Sequence, residues 1–109
     1  MLSQPLYHIT LKDSRPKENR HRVYTIAVYA LANTYSITLL WGRIGTKKQR
    51  KIQTCESQEA LTTCLTAILK TRLKHGYLLA EKSTQTPDYE ILSKFQKANL
   101  WGARQLSLF

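Results

Sequence analysis

Residues 23–31 read VYTIAVYAL and residues 35–41 read YSITLLW, with Ala32-Asn33-Thr34 between them. Both runs are rich in β-branched and aromatic residues, which suit a pleated, half-buried surface better than a helix. In the second run Tyr35, Ile37, Leu39 and Trp41 fall on alternate positions and so share one face. Asn33-Thr34 marks a tight turn, and the two runs together predict a β-hairpin. A hairpin with one apolar face needs neighbours and a cover, and the flanking sequence supplies both.

On the N-terminal side, Leu6 to Lys12 (LYHITLK) alternates well enough for a further strand. DSRPKENRHR, residues 13–22, lies between it and the hairpin and is predicted to be a polar loop that stays out of the core. On the C-terminal side, Ile44 to Lys48 turns the chain into a fourth strand, Gln49 to Thr54. Strands joined by short turns imply an antiparallel meander. At Ser57 the apolar period changes. Ser57 is an N-cap, Glu59 suits the positive end of the helix dipole, and Ala60, Leu61, Cys64, Leu65, Ile68 and Leu69 form one stripe. Lys70, Arg72, Lys74 and His75 crowd the last turns, and Gly76 is the stop signal. Tyr77-Leu78-Leu79 makes a short strand and residues 81–86 a polar break. Thr86-Pro87-Asp88 then opens a short helix to Ala98 with Ile91, Leu92 and Phe95 facing inward. The expected fold class is α+β: an antiparallel sheet of about four to five strands, one main helix packed on it and a short C-terminal helix.

The 109 residues have room for one compact domain, and 42% of them are hydrophobic. Seventeen Lys and Arg against seven Asp and Glu give a formal charge of +10. Such an excess works against the compact state through self-repulsion, and a polyanionic partner is its natural counterweight. Met1-Leu2-Ser3-Gln4-Pro5 lacks the charged and apolar regions of a secretory leader, and no apolar run approaches the roughly 20 residues that cross a bilayer. Two cysteines, Cys55 and Cys64, suggest no disulfide framework. These features lead us to expect a cytoplasmic, nucleoid-associated protein without a membrane partner.

Catalysis finds no support in the residue pattern. His8, His21 and His75 are scattered, Cys64 lies on the apolar stripe of the helix, and the acidic residues form no pair beyond Asp88 and Glu90 at a helix start. There is no phosphate-cradling glycine loop and no nucleophile elbow. The expectation is a protein that is not an enzyme, with no metal, no cofactor and no small-molecule substrate.

The informative segment is LWGRIGTKKQRK, residues 40–51. Trp41, Gly42 and Arg43 stand at a strand end, and Arg43, Lys47, Lys48, Arg50 and Lys51 follow within the hairpin. An indole can stack on a sugar or a frayed base, while guanidinium and ammonium groups hold phosphates. Glycine beside the tryptophan lets backbone or ligand approach closely. Strand parity, however, places Trp41 with Ile37 and Leu39 on the core face, and lysines commonly blunt exposed strand edges. The residues themselves leave these readings open.

WGRIG after a β-rich segment, then a basic turn with Gln49, then a helix ending in Gly76-Tyr77, resembles the WGR domain family. The likeness covers roughly Tyr7 to Leu79. That family is known from DNA-dependent poly(ADP-ribose) polymerases and from small bacterial proteins. It implies an antiparallel sheet with a packed helix, and a tryptophan set against the sugar at a 5′ end near a DNA break. Carried onto this sequence, the resemblance makes Trp41 an exposed or half-exposed contact and Arg43 a phosphate or partner contact. It also places Arg72 at the family's basic position near the helix end, with Lys74 close by. Two positions depart from the pattern. Lys48 stands before Gln49 where a glycine is common, and Ile52 to Cys55 lack the aromatic often found before the helix.

The pentapeptide Gln105-Leu106-Ser107-Leu108-Phe109 resembles the peptide by which bacterial replication and repair proteins dock on the sliding clamp. Gln105 offers a directional amide, and Leu106, Leu108 and Phe109 offer apolar anchors.

Together these readings divide the chain into a WGR-like DNA-binding domain (1–80), a polar break, short helix and tether (81–104), and a clamp-binding-like peptide (105–109). The expected function is non-catalytic binding of double-stranded DNA near ends, nicks or gaps, with recruitment to replication or repair sites by the bacterial sliding clamp. The DNA contacts would be Trp41, Gly42, Arg43, Lys47, Lys48, Arg50, Lys51, Arg72 and Lys74. The alternative from another class is a protein-interaction adaptor in which Trp41 and Arg43 grip a protein and the clamp peptide sets location. Residues 13–22, with Arg15, Lys17, Arg20, His21 and Arg22, are either a second DNA-binding arm or a surface loop.

Overall fold

A computed structural model describes residues 4–15 and 20–96 of the chain. The chain order is β1 (Tyr7–Arg15), β2 (Arg20–Ala30), β3 (Tyr35–Arg43), β4 (Gln49–Cys55), α1 (Gln58–Lys74), β5 (Leu78–Lys82) and a 3-10 turn (Glu90–Lys94). The strands form one five-stranded sheet in the order β4-β3-β2-β1-β5, and every neighbouring pair is antiparallel. This is the α+β architecture expected from the sequence. Strands β4 and β5 therefore run parallel at opposite edges, and α1 crosses the sheet between them.

The central hairpin sets the register of everything else. Leu31 N–H donates to the Thr34 carbonyl at 2.8 Å, so Ala32 and Asn33 occupy the tip rather than Asn33 and Thr34. From there the pairing runs without interruption, with Ile37 opposite Val28, Leu39 opposite Ile26, Trp41 opposite Tyr24 and Arg43 opposite Arg22. The bond from Ile44 N–H to the His21 carbonyl (2.7 Å) lies in the same register. Alternation then makes Tyr24–Trp41 and Arg22–Arg43 non-hydrogen-bonded pairs, the type in which side chains approach most closely.

One face of the sheet packs on the helix. Ile9, Leu11, Ile26, Val28 and Ile37 are fully buried there against Leu65 and Leu69. Truncating any one of these to alanine is expected to cost about 2–5 kcal/mol, because the close-packed surroundings collapse only in part. Helix α1 begins as the sequence indicates: the Ser57 hydroxyl accepts from Ala60 N–H at 3.1 Å, and Glu59 lies in the first turn. It ends with Gly76 at φ +89°. Gly76 N–H reaches the Leu73 carbonyl (3.0 Å) and Tyr77 N–H the Arg72 carbonyl (3.1 Å), the paired bonds of a Schellman stop.

Three further expectations are corrected. The DSRPKENRHR segment is not all loop: β1 continues to Arg15, β2 begins at Arg20, and Asp13 is buried at 2% exposure on the helix-side face. Strand pairing satisfies the backbone of this polar stretch, so it joins the sheet despite its composition. The polar break begins later than expected, since Glu81 and Lys82 belong to β5 and pair with Thr10 and Ile9. The helix predicted from Thr86 is a five-residue 3-10 turn starting at Glu90. Thr86 does not cap it, because its hydroxyl is bound to Ser83 (3.1 Å) and to the His8 carbonyl (3.3 Å). Ile91, Leu92 and Phe95 are nevertheless buried, as their spacing indicated. The pentapeptide Gln105–Phe109 lies outside the described residues.

Candidate nucleic-acid interface

Trp41 closes the apolar row of β3 and is half-buried, packed against the edge of the core. Both sequence arguments were partly right. Strand parity put the indole on the helix side, and the WGR likeness left it partly open. Its ring stacks on Tyr24, with centroids 6.0 Å apart and planes 26° from parallel. Tyr24 in turn meets the edge of Tyr77 at 6.0 Å. The guanidinium of Arg72 lies over both tyrosines, 4.7 Å from the Tyr24 ring centre and 5.6 Å from that of Tyr77. Tyr77 arrives there because Gly76 turns the chain back at the helix end, tying Tyr77 N–H to the Arg72 carbonyl. Burial pushes the Tyr24 hydroxyl above its ordinary range, and Arg72 opposes that rise.

Gly42 follows at φ +155°, a backbone conformation that side chains rarely adopt. A Cβ there would meet Lys48 Cδ at 3.2 Å and Lys48 Cα at 3.5 Å. The close approach that the glycine permits is thus made by the hairpin's own returning strand. The turn itself is held by Thr46, whose N–H and hydroxyl both donate to the Arg43 carbonyl at 3.1 and 2.8 Å, with Gly45 at φ +86°. Lys48 Nζ donates to the Thr46 carbonyl at 2.6 Å. The lysine that replaces the expected glycine therefore braces the turn with its ammonium group.

The cations named from the sequence do not all share one face. Arg43 is exposed on the face of Trp41, as is Lys51, which stands opposite Leu39. Gln49 stands directly opposite Trp41. Arg50 pairs with Leu40 and belongs to the opposite face, while Lys47 is exposed on the turn. Lys74 is exposed at the helix end, whereas Arg72 is half-buried, and its Nε has no hydrogen-bond partner among the described residues.

Two features escaped the sequence reading. Arg22 is exposed directly opposite Arg43, and Asp13 is its neighbour on β1. Like charges facing across a pair repel, while Arg43 and the neighbouring Asp13 each already have an interaction partner in the fold. Tyr24 forms the seat of Trp41, and Tyr77 backs Tyr24. Arg22 was named only as part of the 13–22 segment; the hairpin register, with the turn centred one residue earlier, sets it opposite Arg43 and Tyr24 opposite Trp41.

Among the described residues no group of His, Cys, Asp or Glu could hold a metal ion, and no helix is long and apolar enough to cross a membrane. Cys55 and Cys64 are both free, with Cys64 accepting from Gln53 Nε2 at 2.9 Å.

No curated protein and no solved structure matches the chain. The WGR domain, a nucleic-acid-binding domain, matches residues 7–85, from the first residue of β1 to just past the end of β5. With most of its length covered, including the Trp41-Gly42-Arg43 strand end and the helix stop at Gly76, this chain belongs to the WGR domain family.

Proposed function

We propose that this protein binds duplex DNA without catalysing a reaction, and that it does so near ends, nicks or gaps. The observation that carries this reading is the edge formed by Trp41, Arg43, Arg22 and Lys51: a half-open indole on a tyrosine seat, flanked by exposed cations on the same face. An indole so placed offers a flat apolar surface to a terminal sugar or unstacked base, and the cations around it take the phosphates. Contacts of this kind read no base edges. Sequence preference is accordingly weak and salt dependence strong.

Gln105–Phe109 then brings the protein to replication or repair sites by docking on the bacterial sliding clamp, a role that rests on the pentapeptide's sequence alone. The soluble location that follows is the cytoplasm, on the nucleoid.

The test is fluorescence anisotropy with a labelled hairpin duplex carrying a single 5′-phosphorylated end, competed by closed circular duplex. Poor competition by the circle supports end recognition. Equal competition identifies a general duplex binder. No binding to either rejects the DNA reading in favour of an adaptor. Clamp docking is checked separately, by comparing the full chain with one lacking residues 105–109 in binding purified clamp.

A further inference from the structure

Arg72 was named from the sequence as a phosphate contact, but its surroundings fit a different task. The flat guanidinium lies over Tyr24 at 4.7 Å and Tyr77 at 5.6 Å, and Nε is buried without a hydrogen-bond partner among the described residues. A phosphate is best held by two parallel N–H groups on one edge of the guanidinium. Nε is closed to such a grip here and the rings cover a face of the plane, which leaves only the terminal nitrogens for a phosphate. Tyr24, gripped from the helix side by Arg72, is the residue on which Trp41 stacks. Besides Tyr24 the indole meets the edge of the core, and its other cross-strand neighbour is the exposed Gln49.

We infer that Arg72 is a positioning residue: it holds Tyr24, and through Tyr24 the Trp41 ring, in the orientation that meets DNA, without touching a phosphate itself. This rests on the DNA-binding role proposed for Trp41. The chain of contact runs from the helix end to the strand end. The Schellman stop ties Tyr77 to the Arg72 carbonyl, the Arg72 cation bridges the faces of two rings, and the second ring supports the indole.

The test uses the full chain with Trp101→Phe, so that Trp41 is the sole indole of the two in the sequence. In the free protein, Arg72→Gln is expected to red-shift Trp41 emission and increase its quenching by acrylamide. On hairpin duplex DNA the same change should weaken binding about fivefold to tenfold, between the exposed and the fully desolvated limits of a cation–π contact. The slope of log affinity against log salt should stay the same. In a Tyr24→Leu background the Arg72→Gln effect should shrink to about twofold or less, as expected for residues acting through one another. A slope shallower by about 0.9, with effects that add, would show a direct phosphate contact and overturn the inference. Unchanged emission and affinity would overturn it too, reducing Arg72 to packing. Arg72→Met, which keeps the aliphatic stem, serves if the glutamine variant is unfolded. If the parent protein binds no DNA, the proposed function fails, while Trp41 emission still decides whether Arg72 sets the ring.

Discussion

Replacing Gly42 with alanine tests whether the Trp41-Gly42-Arg43 strand end is built as described. Gly42 sits at φ +155° and pairs with Val23 in an unbroken ladder, so it cannot rotate away without disturbing the hairpin. A side chain in that region of backbone space costs about 1–3 kcal/mol. The added methyl meets Lys48 Cδ at 3.2 Å, a flexible contact that yields cheaply, and Lys48 Cα and the Lys47 carbonyl at 3.5 and 3.6 Å, which are ordinary distances. Strain therefore dominates over clash. Stiffening of the unfolded chain by alanine returns about 0.4–1 kcal/mol. The net loss is about 1–2 kcal/mol, which for a domain of this size lowers Tm by about 5–15 °C. Thermal unfolding followed by circular dichroism reads this directly. Gly45→Ala is the control: it too has positive φ (+86°), but nothing lies within 4 Å of its Cβ. Melting of Gly42→Ala within a degree of wild type, or a loss far larger than in Gly45→Ala, would refute the assignment of strain to Gly42.

Burial raises the hydroxyls of Tyr7 and Tyr24 above the ordinary 10.0 and the thiol of Cys55 above 9.0, with neighbouring groups adding to the rise for Tyr7 and Cys55. The unfolded chain then loses its protons first, so stability is complete below about pH 9 and falls as pH climbs beyond it; urea titrations at pH 8 and pH 10.5 should show the lower midpoint at the higher pH. Ser57→Ala removes the hydroxyl that accepts from Ala60 N–H (3.1 Å) and should cost about 1 kcal/mol, seen as a lower urea midpoint with an unchanged slope. Arg22→Gln, opposite Arg43, should weaken duplex binding irrespective of sequence and make the salt slope shallower by about 0.9; an unchanged slope would remove Arg22 from the interface.

Much of the fold was legible because local signals agreed. Alternation in YSITLLW, the helical stripe from Leu61 to Leu69, the Ser57 cap and the Gly76 stop each named an element that the structure contains. The stretch around Asp13 was misread because composition reports solvent preference, whereas a strand needs only a partner for its backbone. The helix predicted after Thr86 failed for a related reason: a favourable cap is overridden when the hydroxyl is recruited by Ser83 and His8 across the sheet edge. At the site, LWGRIGTKKQRK announced itself by residue type, but its division between two faces and the facing of Arg22 and Arg43 follow from register. Register turns on a single residue at the hairpin tip, which places Tyr24 and not Ile26 beside the indole. The Arg72–Tyr24 contact is a long-range product of the helix crossing, beyond any local pattern, whereas that with Tyr77 follows from the Gly76 stop.

The central claim, that the Trp41 edge binds DNA by stacking among several phosphate contacts, is tested most directly by salt titration of wild type and Trp41→Ala on the same end-labelled duplex. With about four phosphates neutralised, the wild-type slope of log affinity against log salt should be near −3.6. Trp41→Ala should bind at least fivefold more weakly with the slope retained, because stacking is worth about 1–3 kcal/mol and carries no charge. A wild-type slope near −1, or a Trp41→Ala variant that binds as tightly as wild type, would contradict the claim.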